Sequence, residues 1–273
     1  MPPRSVWPWR TVFAVVMLAP FAIGRIGAEV REFDARDVRL IIASGVLLAM
    51  HFIFWIESLY YTSVASASVL VATSPVFLAV LGFFLLGERL TGRTVLAIVA
   101  AVAGSVLIGL GDSGSAAPVQ GNMLRGNMLA ATAALFVSGY LLIGRVVRRR
   151  TSWITYVFCI YSVVAVIVVG IALASGVQLF GLSTYTYVMC GLMALGPQIA
   201  GHGSFNYAVK YIPAAMLGLL SLTEPVGGSL VAFILFEEVP SVLAVAGMTI
   251  VLLSVGVALR KPRSGFLRRA KQG

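Results

Sequence analysis

Residues 221–238 read "SLTEPVGGSLVAFILFEE", an apolar run that contains a Glu-Pro pair. A charged side chain at bilayer depth costs roughly 3 kcal/mol, and proline removes an amide donor from a helix. The pair therefore fits neither an ordinary soluble core nor a plain membrane span. A weaker form of the same pattern stands at residues 72–89, "ATSPVFLAVLGFFLLGER". With the chain slid against itself by 150 residues, Thr73-Ser74-Pro75 falls on Thr223-Glu224-Pro225 and Glu88 on Glu238. Tyr61 falls on Tyr211, Ala65 on Ala215 and Trp55 on Phe205. Chance alignment of an apolar chain gives the alanine matches readily. A proline and a glutamate at the same separation in both halves instead mark an internal repeat.

The chain is 59% hydrophobic and only 11% charged, against about a quarter charged in a soluble domain of ordinary composition. Long apolar runs recur along almost its whole length without strict alternation, which excludes a transmembrane barrel and predicts a polytopic all-α membrane protein. Nine spans are expected, over 11–28, 38–60, 64–87, 92–110, 122–144, 154–174, 184–208, 213–236 and 240–259. Residues 1–110 and 122–260 form the two repeats, joined by a Gly/Ser/Pro-rich linker over 111–121 and followed by a basic tail over 261–273.

The net charge of +10 is a topology signal rather than a nucleic-acid surface. Seventeen of the twenty Lys and Arg lie on alternate loops and the C-terminal tail. That bias puts the C-terminus in the cytoplasm. It also leaves Arg4 and Arg10 on the outer side, at odds with the rule. Reading residues 1–28 as a signal peptide would explain them, but no small-x-small cleavage site follows and four arginines would then be exported. The offset between the repeats spans five helices, so the two copies run in opposite directions across the membrane, the architecture of many secondary transporters.

The segments "YYTSVASASVLVATSPVFLAVLGFFLLGERLTGRTVLAIVAAVAGSVLIGLG" and "YAVKYIPAAMLGLLSLTEPVGGSLVAFILFEEVPSVLAVAGMTIVLLSVGVAL" resemble the two EamA-type halves of the drug/metabolite transporter superfamily. The resemblance implies ten helices in two inverted five-helix repeats, with both termini cytoplasmic. It also implies a central cavity lined by the first four helices of each half, and movement of small metabolites without ATP. "WPWRTVFAVVMLAPFAIGR" resembles the second helix of that pattern, so the first is missing, and we expect translation to start upstream of Met1.

Glu224 is the sharpest site candidate, as a substrate contact or a proton-exchanging carboxyl facing the bundle interior, with Ser221 and Gly228 on the same helical face. Its alternative is a neutral carboxyl bonded to a neighbouring helix. Pro225 and Pro75 are expected to kink their spans as paired hinges, with Ser74 in the place of Glu224. Gln198, His202 and Asn206, at i, i+4 and i+8, form a polar stripe expected to wall a cavity, and His51, Trp55 and Ser58 stand in the corresponding place. Glu57 is placed near interfacial water. Glu88 and Glu238 are expected to cap or anchor loops. Ala100 and Gly104 form a small-residue pair suited to helix packing or a homodimer.

The expected function is a secondary transporter, an exporter or permease, of small organic metabolites in the cell membrane, working by alternating access and coupled to protons. Its partners are then a small-molecule substrate, the proton and the lipid bilayer. No cofactor or metal is expected: Cys159 and Cys190 lie in separate spans with no CxxC spacing. An intramembrane hydrolase using Ser204 or Ser58 with His51 or His202 is the enzymatic alternative, but no GxSxG or HExxH motif is present. A non-transporting membrane subunit is the third reading.

Overall fold

The computed structural model describes residues 6–112, 122–237 and 239–260, and every described element is helical. Most of the linker, the basic tail and Glu238 lie outside the described residues. Helix α1 (Val6–Glu29) continues through Pro20 and ends in one 3-10 turn. Helix α2 (Ala35–Ser58) starts at Asp34, whose carboxylate accepts from the amides of Arg36 and Asp37 at 2.8 Å. These bonds satisfy two of the four free donors at the helix start and hold the Asp34 carboxyl below its usual range. Asn122, Ser152, Ser183 and Ser241 cap later helices in the same way.

The span expected over 64–87 is interrupted for two residues near its middle. Helix α3 (Val64–Val71) and helix α4 (Ser74–Leu86) are separated by Ala72 and Thr73. Its repeat partner is broken at the same place, into α10 (Ala214–Ser221) and α11 (Glu224–Phe236). All four boundaries are offset by 150 residues. Pro75 and Pro225 sit in the first turn of the second segment, where a missing N–H leaves no bond unmade. At each interruption a threonine engages the carbonyl three residues back twice: Thr73 donates to Leu70 through its amide at 3.1 Å and its Oγ1 at 2.6 Å, and Thr223 donates to Leu220 at 3.1 and 2.7 Å. Local side-chain bonds of this kind are what make interrupted helices tolerable at membrane depth.

The remaining helices are α5 (Gly92–Asp112), α6 (Met123–Val147), α7 (Trp153–Ala174), α8 (Thr184–Met193), α9 (Gly203–Ala208) and α12 (Val242–Leu259). Among the described residues, eight segments are long and apolar enough to cross a bilayer. The span expected over 184–208 is helical throughout but changes its winding, with a π-helical stretch over Ala194–His202 between α8 and α9. Large apolar side chains such as Phe21, Phe84, Leu96 and Val166 point outward, as a lipid-facing surface requires.

Packing follows the repeat. Helix α1 lies against α7 and α5 against α12, each a pair of repeat partners, while α2–α7 and α1–α8 are contacts related by the inversion. One apolar cluster joins α1, α2, α6 and α7 through Leu48, Tyr156, Ile160 and Val164, and a second joins α5, α10 and α12 through Ala101, Leu219 and Val251. Gly104 crosses Gly247 so closely that a Cβ on either would stand 2.8 or 2.4 Å from the other's carbonyl oxygen. Gly104 therefore serves packing within the chain. We expect Gly104→Leu to lower the unfolding temperature in detergent markedly, with overpacking costing about 1–3 kcal/mol. Gly256→Leu, with no atom within 4 Å of the added Cβ, is the matched control, and equal unfolding temperatures for the two would refute the crossing.

Candidate functional site

A cavity of about 1400 Å³ lies between α3 and α11. Its mouth is lined by Leu59, Thr62 and Ser63 in the α2–α3 loop, Gly111 at the end of α5, and Pro240 and Ser241 before α12. All of these belong to the face that carries few basic residues. From there the cavity reaches past Ser74, Leu78, Val137 and Leu217, well into the bundle. Its volume is above the range of about 300–1,000 Å³ usual for small-molecule sites.

The two halves are used unequally. Helix α4 packs on α10, where a Cβ on Gly218 would come within 2.7 Å of Leu78 and 2.9 Å of Pro75. The repeat counterparts of Gly218, Pro75 and Leu78 are Ser68, Pro225 and Gly228, and all three line the cavity. One seam is shut and its inverted copy stands open.

The basic face is closed by a charged knot. Arg145, in the last turn of α6, ion-pairs with Glu88 beyond α4 and donates to the carbonyls of Val209 and Ile212 at 2.8 and 2.6 Å. Glu88 also accepts from the Ala214 amide, at 3.3 Å, at the start of α10. Three helix ends are thus tied through one largely buried pair. Next to it, Arg148 is buried, with Nε donating to the Asn206 carbonyl at 3.1 Å, and burial lowers its pKa.

Glu224 is exposed to the cavity, together with Ser221, Pro225 and Gly228, so the helical face read from the sequence does line it. Ser74 and Pro75's neighbourhood enter from the other half: Ser74 lines the cavity and its carbonyl accepts from Ser138 Oγ at 3.2 Å. His51, Trp55 and His202 line it as well. His51 Nδ1 lies 2.9 Å from the Ala133 carbonyl; a carbonyl can only accept, so Nδ1 carries the proton. His202 Nδ1 lies 3.2 Å from the Tyr140 hydroxyl, and the two imidazoles are 6.0 Å apart.

The stripe on the span expected over 184–208 does not form a common wall. Gln198 and Asn206 are fully buried and lie outside the cavity lining, while His202 faces it. Both ends of the Gln198 side-chain amide lack a hydrogen-bond partner, and the Asn206 amide nitrogen donates to the His202 carbonyl at 2.8 Å. Gln198 stands in the π-helical stretch and Asn206 in α9, and both are packed inside the bundle rather than along the cavity. Gly196 and Pro197 were the visible signal for the altered winding.

Two further residues escape a sequence reading. Arg10, counted as a topology charge, projects from α1 into the cavity with its guanidinium 4.3 Å from the Phe52 ring centroid. Tyr140, buried in α6, is the hydroxyl partner of His202. The serines of the hydrolase alternative are engaged elsewhere, Ser58 donating to the Trp55 carbonyl at 2.6 Å and Ser204 to the Ala200 carbonyl. Glu57, near the mouth, accepts from the Tyr61 hydroxyl at 3.5 Å. Among the described residues no group of His, Cys, Asp and Glu could hold a metal ion.

Comparison with known proteins agrees with this architecture. An uncharacterized transporter of Clostridium kluyveri is 25% identical over 269 residues, covering 89% of this chain and 83% of the relative. Solute carrier family 35 member G1 of Homo sapiens is 27% identical over 267 residues, covering 93% and 70%. A protein of known crystal structure shares the fold at a TM-score of 0.75 and 20% identity, over 100% of this chain and 90% of the other. The EamA-like transporter family model matches residues 1–110 and 124–260. The chain is a multi-pass membrane protein and belongs to the EamA-like transporter family.

Proposed function

We propose that the protein is a secondary transporter of small organic metabolites that works by alternating access, with Glu224 exchanging the coupling proton. The observation that carries this reading is the unequal use of two equivalent seams: α4 on α10 closed, α3 against α11 open. In the sequence, seventeen of twenty Lys and Arg fall on alternate loops and the C-terminal tail, a bias that supports a cytoplasmic side there. The C-terminus is then cytoplasmic, the cavity opens outward, and the Glu88–Arg145 knot is the inner closure. The helix at the centre of each repeat is interrupted for two residues beside the cavity, which supports a mid-membrane site of the kind secondary transporters use.

The opposite state follows from the inversion. Ser68 would close on Pro225 and Gly228 as Gly218 now closes on Pro75 and Leu78, while the Glu88–Arg145 knot parts. Cysteines at Ser68 and Gly228, in a chain whose Cys159 and Cys190 are replaced, should form a disulfide that stops transport and is reversed by reductant. Failure to cross-link under turnover conditions would count against the closure.

Glu224 lies at depth next to the break, where its charge is costly unless it faces water or exchanges a proton. Transported solutes are found by comparing metabolites in cells lacking and overproducing the protein, then assayed in proteoliposomes. We expect Glu224→Gln to reduce pH-gradient-driven uptake about tenfold or more while solute–solute exchange persists. Unchanged gradient-driven uptake in that variant would remove Glu224 from the coupling.

A further inference from the structure

We propose that Arg10 is the anion-recognising residue of the cavity, and that the solute admitted is an organic carboxylate with an apolar body. The inference rests on reading the cavity as the solute site. Among the described lining residues, Arg10 is the one permanent cation and Glu224 the one carboxylate. Among the described residues neither belongs to an ion pair, and Arg10 Nε is buried without a hydrogen-bond partner. The basic residues packed at the closed end show the contrast, since Arg145 and Arg148 are bonded to carboxylate or carbonyl oxygens.

A guanidinium cannot shed its charge, and leaving one buried and unpaired, as Arg10 Nε is, is strongly unfavourable. Such a group is retained where an anion reaches it during the working cycle. Its donors form a planar fork that matches a carboxylate with two parallel bonds. Phe52 holds that fork in place by lying face-on to it at 4.3 Å. The surrounding wall is apolar and aromatic: Phe52, Trp55, Phe205, Val137 and Leu141 line the same space. His51 spends its Nδ1 proton on the Ala133 carbonyl, and His202 faces the edge of Phe52 with ring centroids 5.1 Å apart. The imidazoles thus supply a weakly polar border rather than a counter-ion. A head group that takes both guanidinium donors, joined to a body that fills an aromatic wall, satisfies every part of this surface.

The test uses the full chain in phosphatidylcholine nanodiscs and reads ligand-induced thermal stabilisation together with tryptophan fluorescence. Probes share a body and differ in head group: 3-phenylpropionate, 3-phenylpropionamide and 3-phenylpropylamine, with hexanoate, hexanamide and hexylamine beside them. We expect the carboxylates to bind about tenfold or more tightly than their isosteres. Arg10→Gln should erase that preference and Arg10→Lys should keep part of it, having the charge without the fork. Tighter binding of the amines would give head-group recognition to Glu224 and overturn the proposal. Equal binding of all three heads, no binding of any probe, or a carboxylate preference that survives in Arg10→Gln would overturn it too. If phosphatidylglycerol in the nanodisc stabilises the protein and excludes 3-phenylpropionate, Arg10 serves a lipid headgroup and the solute assignment fails. Should Arg10→Gln not fold, the comparison of heads on the unmodified chain and on Arg10→Lys still decides. Binding needs no gradient, so a carboxylate preference on the unmodified chain together with uptake that ignores the pH gradient would refute the coupling alone.

Discussion

The contact of Gly218 with Pro75 and Leu78 governs the rest of the architecture. It allows α10 to lie directly on α4, with no room for a Cβ at 2.7 Å from Leu78. That approach closes one end of the bundle and brings the start of α10 within reach of Glu88. Because the two halves are inverted copies, the same contact has a counterpart among Ser68, Pro225 and Gly228, and there a cavity stands instead. Both seams cannot close at once without abolishing the cavity, and both cannot open without leaving an unsealed path. Packed interfaces of this kind have discrete arrangements rather than a continuum, which is how small local differences become two states.

Polar chemistry is concentrated where the seams need it. At Ala72-Thr73 and Leu222-Thr223 the threonine amide and hydroxyl share one carbonyl three residues back. The closed end gathers loose carbonyls of the α9–α10 turn onto one guanidinium, that of Arg145. Around this sit helix pairs joined by small residues, such as α5 with α12 at Gly104 and Gly247. Those pairs belong to apolar clusters on either side of the broken helices. The bundle is thus two packed bodies with interrupted helices between them.

Much of this was legible in the sequence, and the reasons for the rest are physical. Apolar runs located every membrane-spanning stretch because each must be long enough to cross. The repeat located both breaks, since Thr-x-Pro recurs at one offset, but proline alone reads as a kink. The two-residue interruptions, where the amide and hydroxyl of Thr73 and Thr223 share the carbonyl three residues back, are set by bonds that no pattern announces. The spacing of Gln198, His202 and Asn206 reads as one cavity wall, but burial separates them: Gln198 and Asn206 are fully buried and His202 faces the cavity. Arg10 was passed over because basic residues near a terminus report topology far more often than binding. Glu88 was recognised as an anchor, yet Arg145, its partner 57 residues away, could only be found by folding.

The central claim is that the two seams open in turn. Double electron–electron resonance on the protein in nanodiscs measures it directly, using two spin-label pairs. One pair, at Val64 and Val239, spans the mouth of the cavity; the other, at Arg89 and Lys210, spans the closed end. When a transported solute and acid pH are supplied together, the account predicts that the first distance distribution shortens as the second lengthens. Distributions that stay fixed, or that shift in the same direction, would contradict it.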